Sequence, residues 1–130
     1  MISNEKLLQE AGNAMKASYS PYSHFAVGAA LETEDGSLYT GCNIENASYG
    51  ATNCAERTAI FKAVSEGHTQ IKRIAIVSSS HKKTPPCGIC LQVMLEFMTD
   101  QSKIVLADAD GIYEYTLAHF LPYGFRLEEK

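Results

Sequence analysis

The sequence predicts an α/β fold, a three-layer α/β/α sandwich around a mixed sheet of about five strands. Two observations carry this. A hairpin pattern comes first, with two apolar runs joined by Asp35-Gly36. Strand-like runs then alternate with helix-like ones, the order that lays helices on both faces of a sheet. At 130 residues the chain is long enough for one domain with a sizeable core. Without repeats, low-complexity stretches or a linker, residues 1–130 read as a single domain.

The elements follow in order. Residues 4–18 carry Leu7, Leu8, Ala11, Ala14, Met15 and Ala17 at helical spacing, and Ser20-Pro21-Tyr22-Ser23 ends that helix. Residues 25–33 and 37–43 read as the hairpin strands, since Asp-Gly suits a tight turn. Residues 53–66 read as a helix stopped by Gly67, and residues 71–77 as an apolar strand. Ser78-Ser79-Ser80 opens a loop that closes at Pro85-Pro86. Residues 87–98 read as a helix, with Pro86 suited to its first position, where a missing N–H is no loss. A strand follows at 104–107, then a turn at Asp110-Gly111 and a strand at 112–115. Thr116 is placed to cap a last short helix, closed by Pro122.

Net charge is −4, and no basic stripe is present to neutralise a phosphate backbone, which argues against a nucleic-acid partner. The cluster His81-Lys82-Lys83 reads as a solvated loop. No apolar run approaches the roughly 20 residues that span a bilayer. The start, Met1-Ile2-Ser3-Asn4-Glu5-Lys6, lacks the pattern of a secretory signal, so the expectation is a cytoplasmic protein without a membrane partner.

Chemistry is concentrated in two short motifs, Cys54-Ala55-Glu56 and Pro86-Cys87-Gly88-Ile89-Cys90. Cys54, Cys87 and Cys90 supply three thiolates for one zinc ion, and Glu56 is a carboxylate not needed as a ligand. A structural zinc site closes with four protein ligands, whereas a catalytic one leaves a position for water. Three cysteines and a spare acid therefore point to hydrolysis. Soft thiolates favour zinc over hard cations. Both motifs fall at helix N-termini, whose partial positive charge favours thiolate over thiol. Three thiolates on Zn²⁺ still leave one net negative charge. Arg57, one helical turn after Cys54, is placed to hydrogen-bond the sulfurs and offset it. A thioredoxin-like reading of Cys87 and Cys90 leaves Cys54 and Glu56 without a purpose. Cys42, at the end of a strand, reads as a small buried residue. His24, His68, His81 and His119 have no metal-ligand spacing, and Gly28 belongs to no phosphate-binding pattern.

Two upstream blocks, Tyr22-Ser23-His24-Phe25-Ala26-Val27-Gly28-Ala29-Ala30 and Gly41-Cys42-Asn43-Ile44-Glu45-Asn46, precede these motifs. In this order the four segments resemble the small zinc-dependent cytidine deaminases, from about Tyr19 to Phe125. The resemblance implies a cytidine deaminase-like fold and hydrolytic deamination of cytidine and 2′-deoxycytidine, with ammonia released, in pyrimidine salvage. One zinc is implied per chain, with Glu56 as the proton shuttle among water, the cytosine N3 and the departing amine. It further implies that Asn43 and Glu45 hold the sugar hydroxyls, that Phe25 packs on the pyrimidine, and that the Ala55 backbone contacts the base. Phe125 matches an aromatic that reaches a neighbouring subunit's site, implying a homotetramer with shared active sites, and Tyr49 is a candidate for subunit contact.

The family usually continues its second motif with Arg-Gln, whereas this chain has Leu91-Gln92, one cation fewer beside the metal. Two rivals stand beside the main reading. A deaminase of a related cytosine nucleoside, such as a blasticidin-type antibiotic, shares the chemistry, but the intact Asn43-Ile44-Glu45-Asn46 block favours an ordinary ribose. A non-catalytic zinc-binding interaction module predicts a fourth protein ligand, for which no cysteine or histidine has convincing spacing.

Overall fold

The computed structural model of the chain describes residues 2–127. Helix α1 (Asn4–Met15) is followed by strands β1 (Val27–Thr33) and β2 (Leu38–Cys42), helix α2 (Ala55–Ser65) and strand β3 (Ile71–Ser78). Helix α3 (Gly88–Phe97), strands β4 (Met98–Asp108) and β5 (Gly111–Tyr115) and the short helix α4 (Leu117–Phe120) complete the order. The sheet runs β2-β1-β3-β4-β5, with β3 and β4 parallel and the other pairs antiparallel. This is the expected mixed five-stranded sheet.

Alternation along the strands sets the layers. Ala29 and Leu31 of β1, Ile74 and Ile76 of β3, and Ile104 and Leu106 of β4 join the main core with α2, α3 and α4. Their neighbours Ala30, Ala75 and Val105 pack with Leu7 and Ala11 of α1 on the other face. Period-two alternation with apolar residues on both sides marks strands covered on both faces.

Several boundaries differ from the sequence expectation. α1 ends at Met15 rather than 18, because Ser18 and Tyr19 leave the helix to bond Asn43 and bridge Ile44. α2 and α3 begin at Ala55 and Gly88, so Cys54 and Cys87 are N-cap residues in extended conformation. Pro86 therefore precedes the cap instead of occupying the first helical position. β4 begins at Met98, six residues before the expected start. Met98 pairs with Ile71, the register then slips, and Lys103 pairs with Arg73. Ser102 stabilises that slip, donating to Ile71 O and accepting from Thr99 N. Thr116 occupies the N-cap of α4 without a side-chain capping bond.

At the end of the sheet where β3 begins, Arg73 is nearly buried and donates to Glu32 Oε1 through Nε (3.0 Å) and Nη2 (2.7 Å). It also donates to Asn4 Oδ1 (2.7 Å) and Ile2 O (2.6 Å), while Asn4 Nδ2 reaches Glu114 Oε2 (2.7 Å). One polar chain thus joins β1, β3, β5 and the start of α1. Burying an ion pair is tolerable only with such additional hydrogen bonds.

Candidate active site

The opposite end of the sheet carries the chemistry. The segment after β2 doubles back through bridges from Ile44 to Tyr19 and to Asn53, and a 3₁₀ turn at Tyr49–Ala51 leads into α2. Glycine at position 41 lets α2 lie directly on β2. A Cβ there would stand 2.6 Å from both Ala55 O and Ala59 N. Thr58 ties the helix start in place: its hydroxyl lies 3.1 Å from Cys54 O and 3.1 Å from Cys42 O, and accepts from Asn53 Nδ2 at 3.0 Å.

The two caps bring the cysteines together. The sulfurs of Cys54, Cys87 and Cys90 all lie within 4.8 Å of one another, and Cys54 Sγ is 3.7 Å from Cys87 Sγ. Tetrahedral ligands with Zn–S bonds of about 2.3 Å sit roughly 3.8 Å apart, so this spacing fits one zinc ion. Neither cap cysteine uses its side chain to cap the helix, which leaves both sulfurs for the ion. The described residues place no fourth cysteine, histidine or carboxylate in this cluster.

Electrostatics favour a thiolate at Cys54. Cys54 is pulled down to about 5, first by its hydrogen bond with Cys90 and then by Arg57 and Cys87, with burial opposing. The same bond to Cys54, together with burial, pushes the Cys90 thiol far up, so Cys54 ionises first. Arg57 Nη2 donates to Cys54 Sγ at 3.2 Å, the contact expected from its position one turn along the helix. Its Nε is buried and lacks an acceptor among the described residues, a penalty accepted in placing a cation beside the sulfurs. Leu91 is buried in the main core.

Glu56 is only 4% exposed. Burial raises its carboxyl to about 7, with the Cys54 thiolate adding to the rise and its own backbone N–H and Arg57 opposing it. A carboxyl that titrates near neutrality beside a metal position can both take and give a proton.

Glu56, Cys54 and Cys87 line a cleft of about 260 Å³. Phe25, Asn43, Glu45 and Ala55 line the same cleft, so four of the five residues implied for substrate come together. Phe125 does not join them. It is exposed and held by Gln92, whose Nε2 donates to Phe125 O at 2.6 Å. Tyr49 is exposed and meets Tyr22 edge-on, with ring centroids 6.3 Å apart. Ser23, Thr52, Thr84 and Pro85 also line the cleft, with Val27 and Asn53, and were not singled out as site residues from the sequence. The first four come from loops without a periodic pattern, although Ser23 sits inside the Tyr22–Ala30 block. A larger cavity of about 440 Å³, beside Phe97 and Arg126, is far from this chemistry and holds no metal-ligating cluster.

The cleft polar groups also work inside the protein. Asn43 Oδ1 accepts from Ser18 Oγ (2.5 Å) and Val27 N (2.9 Å), and its Nδ2 donates to Phe25 O (2.8 Å). Glu45 Oε1 accepts from the backbone of Tyr22 (2.9 Å) and Ser23 (3.1 Å), and Oε2 from the Ser23 hydroxyl.

An α/β domain that joins three converging thiols to a buried carboxyl at one cleft defines a metal-dependent hydrolytic enzyme. The chain belongs to the cytidine and deoxycytidylate deaminase family, whose zinc-binding region matches residues 1–107. It is 48% identical over 129 residues to a cytidine deaminase of Halalkalibacterium halodurans, covering 98% of each chain. It is also 48% identical to that of Sporosarcina psychrophila, over 96% of this chain and 93% of the relative. The crystal structure of cytidine deaminase from Burkholderia pseudomallei superposes with a TM-score of 0.89 at 41% identity, covering 95% of this chain and all of that one. That from Mycobacterium tuberculosis gives 0.86 at 36% identity, covering 98% of this chain and all of that one.

Proposed function

We propose that the protein converts cytidine and 2′-deoxycytidine to the corresponding uridines with release of ammonia. The observation that carries this is the buried Glu56 beside the three-sulfur cluster, in a cleft that also gathers Phe25, Asn43, Glu45 and Ala55. The named relatives are cytidine deaminases, which favours cytidine over a blasticidin-type nucleoside.

Cys54, Cys87 and Cys90 would hold the zinc ion. Zinc bound there lowers the pKa of water and makes it a nucleophile near neutral pH. Glu56 takes a proton from the attacking water and delivers one to N3 of the base as C4 becomes tetrahedral. It then takes the proton of the new C4 hydroxyl and passes it to the amine as the C4–N bond breaks and the C4 carbonyl forms, so water and cytidine become uridine and ammonia. Arg57 offsets the sulfur charge. Phe25 packs on the pyrimidine, the Ala55 backbone meets the base, and Asn43 and Glu45 grip the sugar. With its Oδ1 accepting twice, Asn43 offers one remaining Nδ2–H, and Glu45 offers the open side of Oε2.

The resemblance supports a homotetramer in which Phe125 completes a neighbour's cleft. Its exposure in the single chain accords with that role. Reduced cysteines needed as ligands support a cytoplasmic setting, and a free nucleoside as substrate supports a place in pyrimidine salvage. No helix among the described residues is long and apolar enough to cross a membrane.

The test is conversion of cytidine by zinc-loaded protein. Uridine and ammonia should form in equal amounts. Glu56→Gln should keep one zinc per chain and lose roughly 10²–10⁴-fold in kcat. Full turnover by that variant would remove Glu56 from the mechanism.

A further inference from the structure

Residues 20–25 form a tight loop that must present Phe25 to the cleft. His24 lies in the left-handed region at φ 57°, an uncommon conformation for a residue with a side chain. Such a backbone persists only where its surroundings over-determine it. Two contacts do so locally: His24 N donates to Ser20 O at 3.0 Å, and Glu45 takes the N–H groups of Tyr22 and Ser23.

Ser23 joins these elements. Its hydroxyl donates to Glu45 Oε2 and accepts from Phe25 N at 3.0 Å. One side-chain oxygen thus stands between the carboxylate on the sugar side of the cleft and the backbone of the aromatic on its base side. We propose that Ser23 is a positioning residue that couples Glu45 to Phe25, so that the sugar grip and the aromatic wall are set as one unit. This rests on the nucleoside reading of the cleft given above.

The coupling has a direction. The Ser23 hydroxyl is the foremost cause holding the Glu45 carboxyl below its ordinary range. Losing it would free Oε2 to rotate away from the sugar and leave Phe25 N–H without its acceptor. Ser23 has no part in proton transfer, so the effect belongs in substrate binding. Threonine retains the hydroxyl and should retain the coupling.

Steady-state kinetics of the zinc-loaded protein on cytidine test this. Ser23→Ala should raise KM about tenfold with kcat changed less than about threefold, and Ser23→Thr should restore KM. In a double-mutant cycle with Glu45→Gln, the double variant should be no worse than the poorer single one. Amide hydrogen exchange provides a readout independent of activity. Exchange at Phe25 should quicken in Ser23→Ala and stay slow in Ser23→Thr. An unchanged KM in Ser23→Ala, or effects that simply add in the cycle, would overturn the proposal. Were the wild type inactive on cytidine, the nucleoside reading would fall. Exchange at Phe25 would then judge the coupling alone, with equal rates in wild type and Ser23→Ala refuting it.

Discussion

Glu56 shows how burial moves the titration of a helix glutamate toward neutrality, the property its proposed role as proton carrier needs. The same burial makes stability depend on pH. Below about 4.5 its carboxyl is neutral whether the chain is folded or not. Between there and about 7 the unfolded chain releases the proton that the folded one keeps. Stability is therefore lost as pH rises through this window, by on the order of 3 kcal/mol. Cys54, pulled down, works in the opposite direction between about 5 and 9 in metal-free protein. Comparison with Glu56→Gln isolates the carboxyl. Metal-free wild type should melt progressively lower than Glu56→Gln as pH goes from 5 to 8, and parallel curves would show that burial does not hold the proton. That Cys54, Glu56 and Arg57 stand together was legible in the sequence because their spacing along one helix start is local. No local spacing shows that Ser23 and Thr84 face the same cleft, since that depends on loops folding across one another.

At the scale of elements, the site is two helix starts held at a set distance. Gly41 controls one of them. Gly41→Ala would press a methyl group into Ala55 O and Ala59 N, shifting α2 and with it Cys54. Overpacking of this kind costs about 1–3 kcal/mol. The expected result is a lower melting temperature together with weaker zinc retention, read by competition with a chromogenic chelator; a fall in stability alone would mean that α2 moves without disturbing the sulfurs. Helix and strand order were readable from periodicity and turn residues. The caps were not, because cysteine is not among the residues that favour an N-cap. Nor was the early start of β4, where Thr99-Asp100-Gln101-Ser102 carries no strand pattern and pairing is imposed by Ile71 and Ser102.

For the whole molecule, the proposed sharing of clefts can be tested by mixing. Glu56→Gln chains lack the proposed proton carrier, and Phe125→Ala chains lack the aromatic proposed to reach a neighbour. Mixed tetramers would contain clefts with an intact Glu56 from one chain and an intact Phe125 from another. Unfolding and refolding the two together should lower KM below that of Phe125→Ala alone, in proportion to such clefts. A mixture that behaves as the sum of its parts would confine Phe125 to its own chain.

The two ends of the sheet are fastened by different means. The buried Arg73–Glu32 pair and Asn4 hold one end, while at the other Cys54 and Cys87 follow segments with little regular structure, residues 43–53 and 79–86. Only the second fastening can be withdrawn by a chelator. Stripped of metal, the protein should become susceptible to nicking by a nonspecific protease within those two segments, leaving fragments that still associate through the Arg73 end. Uniform digestion, with no early cuts there, would mean that the ion secures the entire fold rather than one side of it.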